Sequence, residues 1–128
     1  MEQRESDILK EYSERHEAKM HRRKVIVLTL LVTVLLVFAM IATITLVKFY
    51  RYNMAESRLI VGEYERAADA FIKMADYRDS KSRVYEAALG LYREKSYEKA
   101  LPYFVWLDGY GDNGFHLQKC REKLGLEP

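Results

Sequence analysis

Cysteine occurs once in this chain of 128 residues. That excludes an internal disulfide framework and a zinc site built on several thiolates, and it leaves the redox compartment open. An excess of one charge is also lacking. The 21 Lys and Arg against 19 Asp and Glu give a net charge of +2, so there is no strongly basic footprint and no nucleic acid is expected as a partner. A phosphate-binding glycine loop is missing as well: Gly109, Gly111 and Gly114 follow no strand pattern and lack a Lys-Ser/Thr ending. Of the three histidines only His116 lies beyond Lys24, and no Ser-His-Asp arrangement can be argued around it. His16 and His21 are five apart, off a common helical face, with no pattern completing a metal site. Cys120 reads as a small buried hydrophobe. A reactive thiol would need a depressed pKa, and only His116, Lys119 and Arg121 stand near it in sequence. No reactive constellation exists, so we expect a non-enzyme without metal or cofactor.

What the chain does contain is one long apolar run. Residues 25–47 hold no charge, no Gly and no Pro, and 16 of these 23 are Leu, Ile, Val or Phe. As a helix this run is ~34 Å long, enough to cross a ~30 Å hydrocarbon core. In lipid a helix is the one way for a single segment to satisfy its own backbone. The run is longer than a signal-peptide core, the whole stretch from Met1 to Lys24 precedes it and no A-x-A pattern follows, so it reads as an uncleaved signal anchor. Arg15, Lys19, Arg22, Arg23 and Lys24 precede the span, whereas Lys48, Arg51 and Arg58 follow it. This asymmetry puts the N-terminus in the cytoplasm and the C-terminal region outside the cell membrane. Phe49, Tyr50 and Tyr52 form an aromatic belt at the exit. Residues 1–24 are a charged, partly helical tail with the i,i+4 pair Glu11 and Arg15. They act as a topology signal, with Arg22, Arg23 and Lys24 as the candidates for contact with anionic lipid head groups.

Residues 48–128 carry 14 basic and 13 acidic side chains, which makes this part soluble. Sliding it against itself by 33 positions reveals a register. Between Ala55 and Asp79 seven residues are identical to the one 33 positions on: Ala55, Tyr64, Glu65, Ala67, Phe71, Tyr77 and Asp79. About two matches are expected from ordinary composition. Arg66/Lys99, Ile72/Val105, Met74/Leu107, Ser80/Asn113 and Val84/Leu117 are conservative pairs in the same register. Tyr64, Ala67, Phe71 and Met74 recur at helical steps, as do Tyr97, Ala100, Phe104 and Leu107. Small Ala67 permits close approach of a paired helix, and Phe71 fills the space beside it. Gly62 suits the tight turn, and Asp79 or Ser80 can cap the following helix. The spacing predicts helices near 49–61, 64–75, 80–94, 97–107 and 113–124, with Pro102 removing one hydrogen bond from the fourth. The first of these either stands alone or continues the apolar helix.

Gly62-x-Tyr64-x-x-Ala67-x-x-x-Phe71-x-x-Met74 resembles the turn and second helix of a tetratricopeptide repeat. Tyr77-x-Asp79-Ser80 replaces the proline usual between repeats. This variant resembles repeats in single-span membrane proteins of Gram-positive bacteria, and the likeness covers about 49–124. Met54 and Arg58 depart from it, standing where larger apolar residues are usual. The resemblance implies an all-α fold: a transmembrane helix followed by a small α-solenoid of about two repeats plus a capping helix. It implies a concave face that binds a protein or peptide, and no catalysis. In this chain that face comprises Ser82, Tyr85, Leu89, Tyr92 and Arg93, extended by Tyr52, Leu59 and Gln118.

The expectation is therefore a membrane-anchored interaction scaffold, serving as an accessory subunit of an envelope complex. The alternative is a structural membrane protein that self-associates as a homo-oligomer and has no separate client. Topology is the first thing to measure. Protease added to intact cells, with any outer barrier removed, is expected to trim residues 49–128 and spare the N-terminal tail. Protection of the C-terminal region would reverse the assignment.

Overall fold

The computed structural model describes residues 1–126. They form five helices: α1 (Glu2–Ile60), α2 (Tyr64–Ile72), α3 (Ser80–Arg93), α4 (Tyr97–Trp106) and α5 (Asn113–Lys123). No strand occurs among the described residues, so the all-α class holds. The chain divides into two compact units, Met1–Ile44 and a second beginning at Thr45. Helix α1 supplies the first unit beyond Met1 and also opens the second.

In the first unit the tail is helical from Glu2 onward rather than partly helical. Helix propagation adds one hydrogen bond per residue without a new nucleus, and Glu, Lys and Arg are good helix formers. The Glu11–Arg15 ion pair forms as the spacing suggests. Every side chain from Val25 to Ile44 is exposed, and α1 is long and apolar enough to cross a membrane. The threonines do not spoil it. Thr29 Oγ1 donates to the Val25 carbonyl at 2.8 Å, Thr33 Oγ1 to Leu30 at 2.8 Å and Thr43 Oγ1 to Ala39 at 3.0 Å. Each hydroxyl is thus satisfied within the helix, as hydrocarbon requires.

The second unit has a core assembled from all five helices. The last third of α1 buries Tyr52, Ala55 and Leu59, so the predicted 49–61 helix is a continuation of the apolar one. Ala67 and Phe71 of α2, Val84 and Ala88 of α3, Ala100 and Phe104 of α4, and Cys120 of α5 are fully buried. Helix α2 packs on α3, α3 on α4 and α4 on α5. Gly90 lets α2 come close to α3: an added Cβ there would lie 2.5 Å from the Tyr64 ring. Pro102 stays inside α4, which continues to Trp106.

Several positions 33 residues apart share backbone geometry as well as residue type. Gly62 and Lys95 have φ of +84° and +62°, and Arg78 and Gly111 have φ of +51° and +52°. The Glu63 amide donates to the Arg58 carbonyl at 2.9 Å, and Ser96 to Leu91 at 2.9 Å. Tyr77 donates to Met74 at 2.8 Å, and Tyr110 to Leu107 at 2.9 Å. Lys95 thus performs the helix-ending turn that Gly62 performs, in a conformation costly for a residue with a Cβ.

Two local expectations are corrected. Helix α2 ends at Ile72, not 75, because Met74 and Ala75 donate to the carbonyls of Phe71 and Ile72 in a tightened last turn. Asp79 occupies the N-cap of α3 but its side chain makes no capping bond. Its carboxylate is engaged by Tyr52 instead.

Phe71 and Phe104 are the largest fully buried side chains of the unit. Phe71→Ala and Phe104→Ala are each expected to cost ~3–5 kcal/mol, a large share of a small domain's ~5–15 kcal/mol. Thermal unfolding of the full chain in detergent, followed by near-ultraviolet circular dichroism of the tyrosines, reads this. Two silent substitutions would contradict the packing.

Candidate interaction surface

Tyr52 joins α1 to α3. Its ring meets Phe71 at 5.4 Å and Tyr77 at 5.7 Å, both edge-on. The Arg78 guanidinium covers it at 5.3 Å. Its hydroxyl donates to Asp79 Oδ1. Arg83 completes the junction: Nη2 lies 3.0 Å from Glu56 on α1, and Nη1 lies 3.0 Å from Glu86. Arg83 Nε is 3.3 Å from Asp79 Oδ2, an ion pair without hydrogen-bond geometry. The Tyr52 hydrogen bond, followed by a backbone hydrogen bond and then the Arg83 charge, holds the Asp79 carboxyl below the usual carboxylate range. Burial, then the bond to Asp79, pushes the Tyr52 hydroxyl up.

The same positions recur one repeat on, as Tyr85, Asp112 and His116. The Tyr85 ring meets Phe104, Tyr110 and His116 at 6.2, 5.9 and 5.9 Å. Its hydroxyl lies 3.3 Å from His116 Nδ1. His116 stacks on Phe104 at 5.5 Å, and Tyr92 closes the group against Tyr97, Phe104 and His116. An imidazole therefore joins α3 to α5 where a guanidinium joins α1 to α3. The Tyr52/Tyr85 and Arg83/His116 pairs were legible in the repeat register, yet only the junction geometry gives them a role.

These packings correct the expected concave face. Tyr52 is 4% exposed and Leu59 7% exposed, so both belong to the core and present nothing to a partner. Tyr85, Leu89 and Tyr92 are half-buried against the core; two of these three seal helix to helix through the His116 cluster. Arg93 and Gln118 are exposed. Arg22, Arg23 and Lys24 are exposed on α1 in the first unit. Cys120 is fully buried, and burial pushes its thiol up, the environment of an inert thiol. No group of three or more His, Cys, Asp or Glu is placed to hold a metal among the described residues.

A surface that the residue pattern did not single out opens between α1 and α2. This cleft of about 650 Å³ has Ala55 and Met74 in its floor and Arg51, Met54, Arg58, Arg66 and Lys73 around it. Its acid, Asp69, is engaged by the Tyr103 hydroxyl at 2.7 Å. No family model matches the chain, and no similar curated protein or solved structure was found.

The junction generates a pH-dependent expectation. A carboxyl with a lowered folded-state pKa stabilises the fold above its unfolded value of ~3.9, and that contribution is lost as pH falls through the folded value. Tyr52→Phe is expected to cost about 1 kcal/mol at neutral pH, with the gap to wild type shrinking below the carboxylate range. Urea unfolding at several pH values measures it. A gap unchanged from neutral to strongly acidic pH would contradict the junction.

Proposed function

We propose that the protein is a membrane-anchored scaffold for protein–protein interaction. In this reading residues 25–47 of α1 span the cell membrane, the N-terminus is cytoplasmic, and the second unit is a tetratricopeptide-like pair of helical hairpins with α5 as a cap. The observation that carries the reading is the recurrence, in one common register, of turn geometry, buried phenylalanines and tyrosine junctions. Helical hairpins that repeat this way bury a continuous core by stacking on their neighbours and offer extended surfaces to other chains. The cationic residues after the span, and the exposed Arg93 and Gln118, supply polar recognition groups on those faces.

Crosslinking in native membranes with an amine-reactive reagent tests the reading. Crosslinks from the exposed Lys99 and Lys73 of the second unit to a second, different polypeptide are expected. Crosslinks confined to copies of this chain would favour a self-assembling structural protein instead.

A further inference from the structure

Deepening the scaffold reading, on which it rests, we propose that the cleft between α1 and α2 is the docking site for an acidic amphipathic helix of a partner protein. The register identifies what the cleft is. On α3, Val84, Ala87 and Leu91 form a buried face, α2 packs on that helix, and Gly90 admits the Tyr64 ring. The same positions on α1, one repeat earlier, are Arg51, Met54 and Arg58, with Ser57 at the place of Gly90. Met54 is 43% exposed, since no helix among the described residues covers it. The cleft is thus the position where a preceding α2-like helix would lie.

The α2 side is shaped for an added helix too. In the second hairpin Tyr103 reaches from α4 to α2, its hydroxyl bonding Asp69 at 2.7 Å and the Glu65 carbonyl at 3.3 Å. The matching residue on α2 is Ala70, which lines the cleft and leaves that space open.

Charge specifies the occupant. Arg51, Arg58 and Lys73 have no carboxylate within 4.0 Å among the described residues, and Arg66 reaches only Glu63, at 3.4 Å. Elsewhere among the described residues of the unit Arg83, Lys99 and Lys119 are paired, whereas Lys81, Arg93, Lys95 and Arg121 are not; the cleft differs in gathering four cations around one concavity. A helix with an apolar stripe on the Ala55–Met74 floor and Glu or Asp on both flanks satisfies the apolar floor and the free cations together. Anionic lipid fits less well. Along α1 Arg51 lies ~6 Å from Val47, within a head-group layer of ~5–8 Å, but Arg58, at ~16 Å, and the α2 cations beside it lie beyond that layer.

The test uses the full chain in phosphatidylcholine nanodiscs and two fluorescent helical peptides, one of Leu and Glu and one of Leu and Lys in the same amphipathic pattern. The wild type is expected to bind the Leu/Glu probe and not the Leu/Lys probe. The Arg58→Glu, Arg66→Glu double variant is expected to bind the Leu/Glu probe at least tenfold more weakly and to gain the Leu/Lys probe. That gain shows a folded cleft, and unchanged helicity by circular dichroism supports it. Equal binding of both probes by the wild type, no binding of either, or a double variant that keeps the Leu/Glu probe would overturn the proposal. Loss of the Leu/Glu probe from wild type once phosphatidylglycerol is added to the discs would assign the cleft to lipid and overturn it as well. Membrane crosslinking separates this failure from that of the scaffold: hetero-species persisting without probe binding leave the scaffold reading standing.

Discussion

The second unit depends on α1 reaching into it. Without Tyr52, Ala55 and Leu59, the remaining helices have only 9, 14, 10 and 11 residues. Helices that short are marginal alone and owe their stability to packing. The first hairpin needs α1 as its partner, and Tyr52 is where the requirement is met. One side chain supplies edge-on aromatic packing to Phe71 and Tyr77, a surface for Arg78, and a hydroxyl for the carboxylate that leads into α3. The segment that leaves the apolar run is therefore also the first structural member of the second unit.

The two tyrosine junctions, 33 residues apart, join helices in different ways. Asp79 and Asp112 both stand at helix starts. Arg83 extends from α3 to carboxylates on α1 and on its own helix, whereas His116 lies flat on Phe104 between two tyrosines. The first junction is thus an ion-pair network at a half-exposed edge, and the second is an aromatic cluster. Divergence on the outer face of α1 is larger. Charged Arg51 and Arg58 stand where α3 has Val84 and Leu91, which suits a face that meets water or an acidic neighbour.

Much of this architecture is readable from residue spacing. The helices of the second unit begin where Tyr64, Ser80, Tyr97 and Asn113 suggest, because amphipathic periodicity and the turn residues agree. Burial of Phe71, Phe104, Val84 and Cys120 follows from the same face. What spacing does not reveal is the direction a half-buried aromatic takes. Tyr85 and Tyr92 occupy one stripe on α3, and spacing alone cannot distinguish a stripe open to a ligand from one closed by α4 and α5. The imidazole of His116, two helices further along the chain, decides it. The α1–α2 cleft is less legible for the opposite reason: Met54 and Arg58 mark it only as departures from the buried face that Ala87 and Leu91 form on α3.

The central claim is that the end of α1 belongs to the cooperative core of the second unit. Hydrogen exchange of the full chain in nanodiscs, resolved by peptide mass spectrometry, tests it directly. Amides of residues 52–60 should exchange at the slow rate of those in α3, since both open only when the unit unfolds. Fast exchange in 52–60 beside slow exchange in α3 would show that the unit folds without α1 and would contradict the account.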